Sequence, residues 1–129
     1  MFNGCISLTT PPELPATGLA TYCYSYMFNG CTSLTSAPSL PATGLVSYCY
    51  WGMFVNCTSL STAPYLPATT FSKTTRWCYA DMFSGCTSLT SLEVNFTVWY
   101  EEGECTRGWV YYVAPTGTFT KPEALPTIT

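Results

Sequence analysis

The chain has 129 residues, of which 47 % are hydrophobic and 9 % are charged, and its formal net charge at pH 7 is −3. A charged fraction well below the roughly 25 % of an ordinary domain means that the surface is built mostly of Ser, Thr, Pro, Gly and Tyr. The four basic residues form no cluster, which argues against a nucleic-acid partner because phosphate binding needs grouped Lys and Arg. The sequence has neither an apolar run of roughly 18 residues nor a signal peptide, so no membrane insertion is expected.

A short motif, M-F-x-x-C, recurs along the chain and marks the start of each repeat unit. It begins at residues 1, 27, 53 and 82, at spacings of 26, 26 and 29 residues. The longer last spacing holds an insertion around residues 72–76, which we interpret as a surface loop. Because the sequence starts inside a unit, we expect it to be a fragment of a longer protein.

Each unit has a proline-rich half and a half with the periodicity of a short helix. The first half reads S-L-x-x-x-P-x-L-P-A-T and predicts a short, imperfect parallel strand, because proline has no backbone N–H to donate. In the second half Leu45, Cys49 and Met53 are spaced by four residues, which predicts one face of a helix. Gly30 and Asn56 stand where these helices should end, at positions that accept a left-handed backbone.

From residue 91 the pattern changes to alternating apolar and polar residues without proline. Residues 92–98 and 108–113 are predicted as two strands, and residues 116–120 as a third. These strands would close the open end of the repeats as a β cap, since terminal repeats are expected to differ from internal ones.

The fold class predicted is therefore an α/β solenoid. It is a right-handed, leucine-rich-repeat-like stack of short parallel strands and short helices with a C-terminal β cap. We assign the repeat solenoid to residues 1–90, the cap to residues 91–121, and a tail or linker to residues 122–129.

The motifs M-F-x-G-C-T-S-L-T and L-P-A-T-x-L-x-x-Y-C-Y resemble the BspA-type leucine-rich repeats of bacterial surface proteins. The resemblance covers about residues 1–92, with Met in place of an Ala of the family pattern. Residues 105–110 and 117–119 also resemble the closing segment of such chains in gut Bacteroidales. The resemblance implies a cell-surface or secreted protein that binds a host protein or a glycan. It carries over no catalytic residue.

Eight cysteines form two columns in register with the repeat. The columns consist of Cys5, Cys31, Cys57 and Cys86, and of Cys23, Cys49, Cys78 and the nearby Cys105. Buried free thiols, disulfides and metal ligation all stay open, and free thiols acting as small hydrophobes are favoured. The spacing within a unit matches no zinc motif, and we expect no metal and no cofactor.

The chain has no histidine, which removes the usual general base, the Cys–His pair and most metal sites. Glu101, Glu102 and Glu104 lie together in a charged turn, with no partner acid in the sequence. We therefore predict that the protein is not an enzyme.

Residues that vary between units are the candidates for ligand binding, because the invariant frame is used in packing. Glu13, Ser39 and Tyr65 are equivalent positions beside the strand, and Tyr26 and Trp51 precede the recurring Met. Aromatic residues also occur two apart in each unit, and one member of each pair should be exposed because they cannot share a helix face.

Two functions follow from these observations. The first is a non-catalytic repeat domain of a bacterial surface or secreted protein that mediates adhesion or binds a host protein or glycan. The alternative is a structural assembly component, such as a virion, phage-borne or filament protein. That role would use self-association through the uncapped N-terminal end of the stack.

Overall fold

The computed structural model describes residues 2–127. Its regular elements are two strands, β1 (Ser91–Glu93) and β2 (Thr118–Thr120), which pair in parallel with Leu92 opposite Phe119. Residues 2–127 contain no helix. The predicted fold class, a right-handed α/β solenoid of strands and short helices with a β cap, is therefore wrong.

The residues predicted as helices form runs of consecutive β-turns, which we call turn segments. The four turn segments are residues 22–30, 48–56, 77–85 and 104–112. Within a turn segment, alternate N–H groups donate to the carbonyl three residues earlier, as Met27 does to Tyr24 at 3.2 Å. The intervening N–H groups donate to the next unit, as Phe28 does to the Met53 carbonyl at 2.9 Å. Local turns and contacts between units thus share the backbone donors.

A positive φ at every fourth residue explains why these segments are not helices. In the first turn segment it falls at Tyr22, Tyr26 and Gly30, with φ of 62°, 54° and 75°. A right-handed helix excludes such angles, whereas one central position of a type II turn requires them. Since a pair of turns advances by four residues, its inward positions have the same spacing as a helix face. The left-handed backbone predicted at Gly30 and at Asn56 (φ 60°) is confirmed.

The strands predicted in the proline-rich halves are also wrong. Of these proline segments, residues 9–17, 35–43 and 61–69, only the third holds isolated bridges, from Thr62 to Ser91 and from Leu66 to Val94. The two true strands lie in sequence without proline, where every residue has an N–H to donate. The missing donors of proline account for the difference.

The region after residue 91 departs from its prediction in the middle. β1 overlaps only the start of the predicted strand 92–98, and β2 falls within the predicted strand 116–120. Residues 108–113, predicted as a strand, instead belong mostly to the fourth turn segment. They accept bonds from the preceding unit, such as that from the Gly85 N–H to the Tyr111 carbonyl at 2.8 Å. The proposed boundaries at residues 90 and 121 stay predictions.

The core is built of columns of equivalent side chains from successive units. The rings of Phe28, Phe54 and Phe83 are fully buried and nearly parallel, with centroids 5.5 and 5.7 Å apart. Tyr50 and Tyr79 stack in the same way at 5.9 Å. Each buried ring contributes roughly 1.5–3 kcal/mol to folding. The columns therefore hold adjacent units together.

All eight cysteines are free, and the favoured interpretation as buried free thiols holds for six of them. Cys5 and Cys23 are exposed and the other six are buried. The Cys57 thiol donates a hydrogen bond to the Phe28 carbonyl of the preceding unit, with an Sγ–O distance of 3.1 Å. The buried thiols thus act as small apolar side chains with one weak donor.

Candidate functional site

Five aromatic side chains from three turn segments form one continuous surface, which we call the aromatic face. Its members are Tyr22, Tyr26, Tyr48, Trp51 and Trp77. Tyr22 is 53 % exposed, and the other four are half-buried. Trp51 lies at the centre, with its ring centroid 4.9 Å from that of Tyr26 and 5.7 Å from that of Trp77. Rings that contact one another outside the core present a single apolar surface with polar edges.

The backbone at four of these rings is in the left-handed region. Tyr22, Tyr48 and Trp77 occupy equivalent positions in successive units and have φ of 62°, 60° and 54°, and Tyr26 has a φ of 54°. This conformation costs a residue with a side chain roughly 1–2 kcal/mol, whereas glycine adopts it freely. The same conformation recurs at every fourth residue of all four turn segments, so it belongs to the turn geometry that places these rings on the surface.

Glycines of the next unit make room for the side chains of this surface. Gly52 has a φ of +61°, and a Cβ added to it would lie 2.5 Å from the Tyr26 ring. A Cβ added to Gly108 would lie 2.5 Å from Oδ1 of Asp81. Tyr26 and Asp81 occupy equivalent positions in their units, and each lies over a glycine of the next unit. Any side chain in place of either glycine would clash with it.

Carboxylates accept hydrogen bonds from the two tryptophans of the aromatic face. Trp77 donates from Nε1 to Glu104 Oε2 at 2.8 Å, and Trp51 donates from Nε1 to Asp81 Oδ2 at 3.4 Å. We call these the two indole–carboxylate pairs. Arg107 joins the first pair, with Nη1 3.3 Å from Glu104 Oε2 and Cζ 5.4 Å from the Trp77 ring centroid.

The two carboxylates differ in their charge balance. The Arg107–Glu104 contact is the sole ion pair within residues 2–127, so Asp81 has no cationic partner in that range. The pKa of the nearby Tyr26 hydroxyl is raised, first by burial and then by the charge of Asp81. The aromatic face therefore carries one neutralised and one unneutralised carboxylate.

The five residues predicted to bind a ligand lie on two different surfaces. Tyr26 and Trp51 meet in the aromatic face. Glu13 and Ser39 are exposed and line a groove of about 560 Å³ between proline segments, while Tyr65 is 46 % exposed and lies outside that lining. The structure thus brings together one predicted pair and separates it from the other three residues.

The sequence pointed only indirectly to the rest of the aromatic face. One member of each aromatic pair was expected to be exposed, and the structure confirms this, since Tyr48 is half-exposed while Tyr50 is buried. The same holds for Trp77 and Tyr79. Variation between units picked out Trp51, but no sequence signal showed that its neighbours would surround it.

A second cavity, of about 520 Å³, lies near the C-terminal strands. It is lined by the rings of Trp99, Trp109 and Phe119 and by Val110. Val110 stands where the preceding unit has Phe83, and the shorter side chain leaves this space open. Only one of the lining residues is charged, so the cavity offers apolar contact and little chemistry.

Neither a metal centre nor a membrane-spanning helix is found in the described part of the chain. Among residues 2–127, no three His, Cys, Asp or Glu side chains are grouped so that they could hold a metal ion. No helix long and apolar enough to cross a bilayer occurs in the same range. The chemistry available at the aromatic face is hydrogen bonding, ion pairing and apolar contact.

No family model, no curated protein and no solved structure matches the chain. The function is therefore inferred from the aromatic face itself.

Proposed function

We propose that the chain is a non-catalytic binding module that engages a protein partner through the aromatic face. The supporting observation is the group of five contacting rings around Trp51, which lie outside the core. Trp, Tyr and Arg are the residues enriched at the energetic centres of protein interfaces. All three occur together on this surface.

The arrangement of the rings favours a protein partner over the glycan that the sequence left equally open. Tyr22 and Tyr48 are stacked with centroids 4.7 Å apart, so each covers one face of the other. A sugar stacks on a ring face, which this contact reduces at Tyr22 and Tyr48, whereas a protein partner can also pack against ring edges and hydroxyls. Rigid Tyr and Trp side chains among Ser and Gly also bind proteins at a low cost in conformational entropy.

The absence of catalysis is part of this proposal. It is supported by the lack of histidine in the sequence, which removes the commonest general base. It is also supported by burial, which raises the pKa of the Cys49 and Cys86 thiols to about 12. Such thiols stay protonated near neutral pH and are poor nucleophiles.

The resemblance of the repeats to BspA-type surface proteins supports a location at the cell surface or outside the cell. We include this location, with a host protein as the partner, in the proposal. A glycan partner and the structural assembly role are the competing outcomes of the experiment below.

The experiment compares three proteins: the unaltered chain, Trp51→Ala, and Tyr65→Ala as a control that removes an exposed ring from a proline segment. Each is assayed by biolayer interferometry against a panel of purified extracellular-matrix proteins and on a glycan array. We expect a protein ligand whose affinity falls about 30-fold or more with Trp51→Ala, as for an interface centre. Tyr65→Ala should change it less than about twofold.

Circular dichroism verifies that Trp51→Ala is folded, and sedimentation gives the oligomeric state. A monomer that binds a matrix protein through Trp51 supports the proposal. Binding confined to glycans, binding that is indifferent to Trp51→Ala, or growth into large assemblies without any ligand would each overturn it.

A further inference from the structure

The two indole–carboxylate pairs of the aromatic face share the same donor and acceptor types but differ in spacing and occupancy. Trp77 bonds to Glu104 at 2.8 Å across 27 residues, and Trp51 bonds to Asp81 at 3.4 Å across 30 residues. In both, a tryptophan of one unit donates its Nε1–H to a carboxylate of the next unit. The Trp77–Glu104 pair carries the guanidinium of Arg107, which lies over the indole and bonds to the same carboxylate oxygen that accepts the indole N–H. No basic residue within residues 2–127 pairs with the carboxylate of the Trp51–Asp81 pair.

We propose that the Trp51–Asp81 pair binds an arginine side chain of the partner protein, in the way in which the Trp77–Glu104 pair holds Arg107. The inference rests on the proposed function and names the chemistry of the partner. Arg107 is the argument for the occupant, since the chain itself shows that a guanidinium fits over an indole beside its carboxylate on this surface.

No ring around Trp51 occupies it by parallel stacking. The four neighbouring rings of Tyr22, Tyr26, Tyr48 and Trp77 are inclined to the indole by 53°, 70°, 60° and 77°, so none of them is stacked parallel to it. A guanidinium stacks on an indole and bonds to a carboxylate at the same time, which a compact ammonium does less well.

Charge favours the same occupant. Asp81 is a half-buried carboxylate without a cationic partner in the described range, and the whole chain has a formal charge of −3. Apolar rings around a carboxylate reduce its solvation, which strengthens its attraction to a cation. Gly108 holds the space beside Asp81 Oδ1 open, so the carboxylate keeps its position next to Trp51.

The test uses three blocked tripeptides, Gly-Arg-Gly, Gly-Lys-Gly and Gly-citrulline-Gly, titrated at low salt into the ¹⁵N-labelled full chain. The indole N–H resonances of the tryptophans are followed by NMR and assigned with Trp51→Phe. We expect the arginine peptide to shift the Trp51 indole resonance in a saturable way. The neutral citrulline peptide should bind about three- to fivefold more weakly, as expected for one exposed ion pair and one cation–π contact.

Two variants separate charge from structure. Asp81→Asn keeps an oxygen that accepts the indole hydrogen bond but removes the charge, and it should weaken the arginine peptide by the same three- to fivefold. Glu104→Gln, the matched control at the other pair, should leave the response of Trp51 unchanged.

Arg107→Ala should create a second binding site for the arginine peptide. Once Arg107 is removed, the Trp77–Glu104 pair is vacant, and the Trp77 indole resonance should begin to respond to the arginine peptide. No response of Trp51 to millimolar arginine peptide, equal binding of the citrulline peptide, or unchanged binding by Asp81→Asn would overturn the proposal.

The outcome is distinguishable from that of the proposed function. If a matrix protein requires Trp51 but binds Asp81→Asn with unchanged affinity, the binding module is supported and the arginine site is rejected. If Trp51 responds to the arginine peptide but no protein in the panel binds, the arginine site is supported and the proposed binding module is rejected.

Discussion

The turn segments and the proline segments of the same units hold adjacent units together in different ways. In the turn segments, alternate N–H groups bond to the next unit, as in the contact from the Tyr50 N–H to the Cys78 carbonyl at 3.0 Å. Among the proline segments, only the third holds isolated bridges, such as that from Thr62 to Ser91. The buried thiols and phenylalanines of the core columns also belong mainly to the turn segments or directly flank them.

The difference shows that the stacking of successive units does not depend on regular secondary structure. A positive φ at every fourth residue frees half of the backbone donors of a turn segment for the next unit, while proline removes donors from the other half of the unit. We therefore expect most of the stability, and the order of the binding surface, to depend on the turn segments.

The largest effect is expected at alkaline pH. Burial raises the pKa of the Cys49 and Cys86 thiols from an ordinary value near 9 to about 12, so the unfolded chain releases these protons first. Stability is therefore complete below pH 9 and falls as the pH rises toward 12. The loss is about 1.4 kcal/mol per pH unit for each thiol. Urea unfolding followed by circular dichroism between pH 7 and pH 11 measures it.

Cys49→Ala tests whether the turn segments cause this dependence. The variant lacks one buried thiol, so its free energy of unfolding should fall less steeply between pH 9 and pH 11 than that of the unaltered chain. Equal stability of the unaltered chain at pH 7 and pH 10.5 would contradict the assignment of these thiols to a buried column.

The second-largest loss of stability is expected for substitutions at positions with a left-handed backbone. Gly52→Ala places a Cβ at a φ of +61° and 2.5 Å from the Tyr26 ring, and we expect a loss of about 2 kcal/mol in the free energy of unfolding. Gly44→Ala is the matched control, because its Cβ meets nothing within 4 Å and its φ is not positive. The control should change stability by less than about 0.5 kcal/mol. Similar urea midpoints for the two variants would argue against the turn geometry.

The sequence predicted the register of the units but not their backbone. The M-F-x-x-C period placed Phe28, Phe54 and Phe83 in one column, because this follows from residue type and spacing. It favoured free thiols but left disulfides and metal ligation open. The four-residue spacing of a helix face is also that of paired turns, so periodicity could not separate the two structures. Left-handed angles at Tyr22 and Tyr48 were not predictable, since bulky residues rarely adopt them.

The candidate site was predicted only in part for a related reason. Trp51 and Tyr26 were found because they vary between units, but Glu13 and Ser39 vary as well and lie on another surface. Variation marks positions that packing leaves free, and it does not show which of them meet in space. The Trp51–Asp81 contact joins residues 30 positions apart, and only the stacking of two units creates it.

The smallest loss of stability is expected for substitutions in the proline segments. Pro41 is exposed in the second proline segment, and Pro41→Ala adds an N–H that solvent can satisfy. The variant should lose only about 0.4–1 kcal/mol, because alanine gives the unfolded chain more conformational freedom without removing a contact between units. The same urea series as for Gly52→Ala measures this loss. If Pro41→Ala cost as much as Gly52→Ala, the proline segments would support the stack directly, and the turn segments would lose their assigned role as its main source of stability.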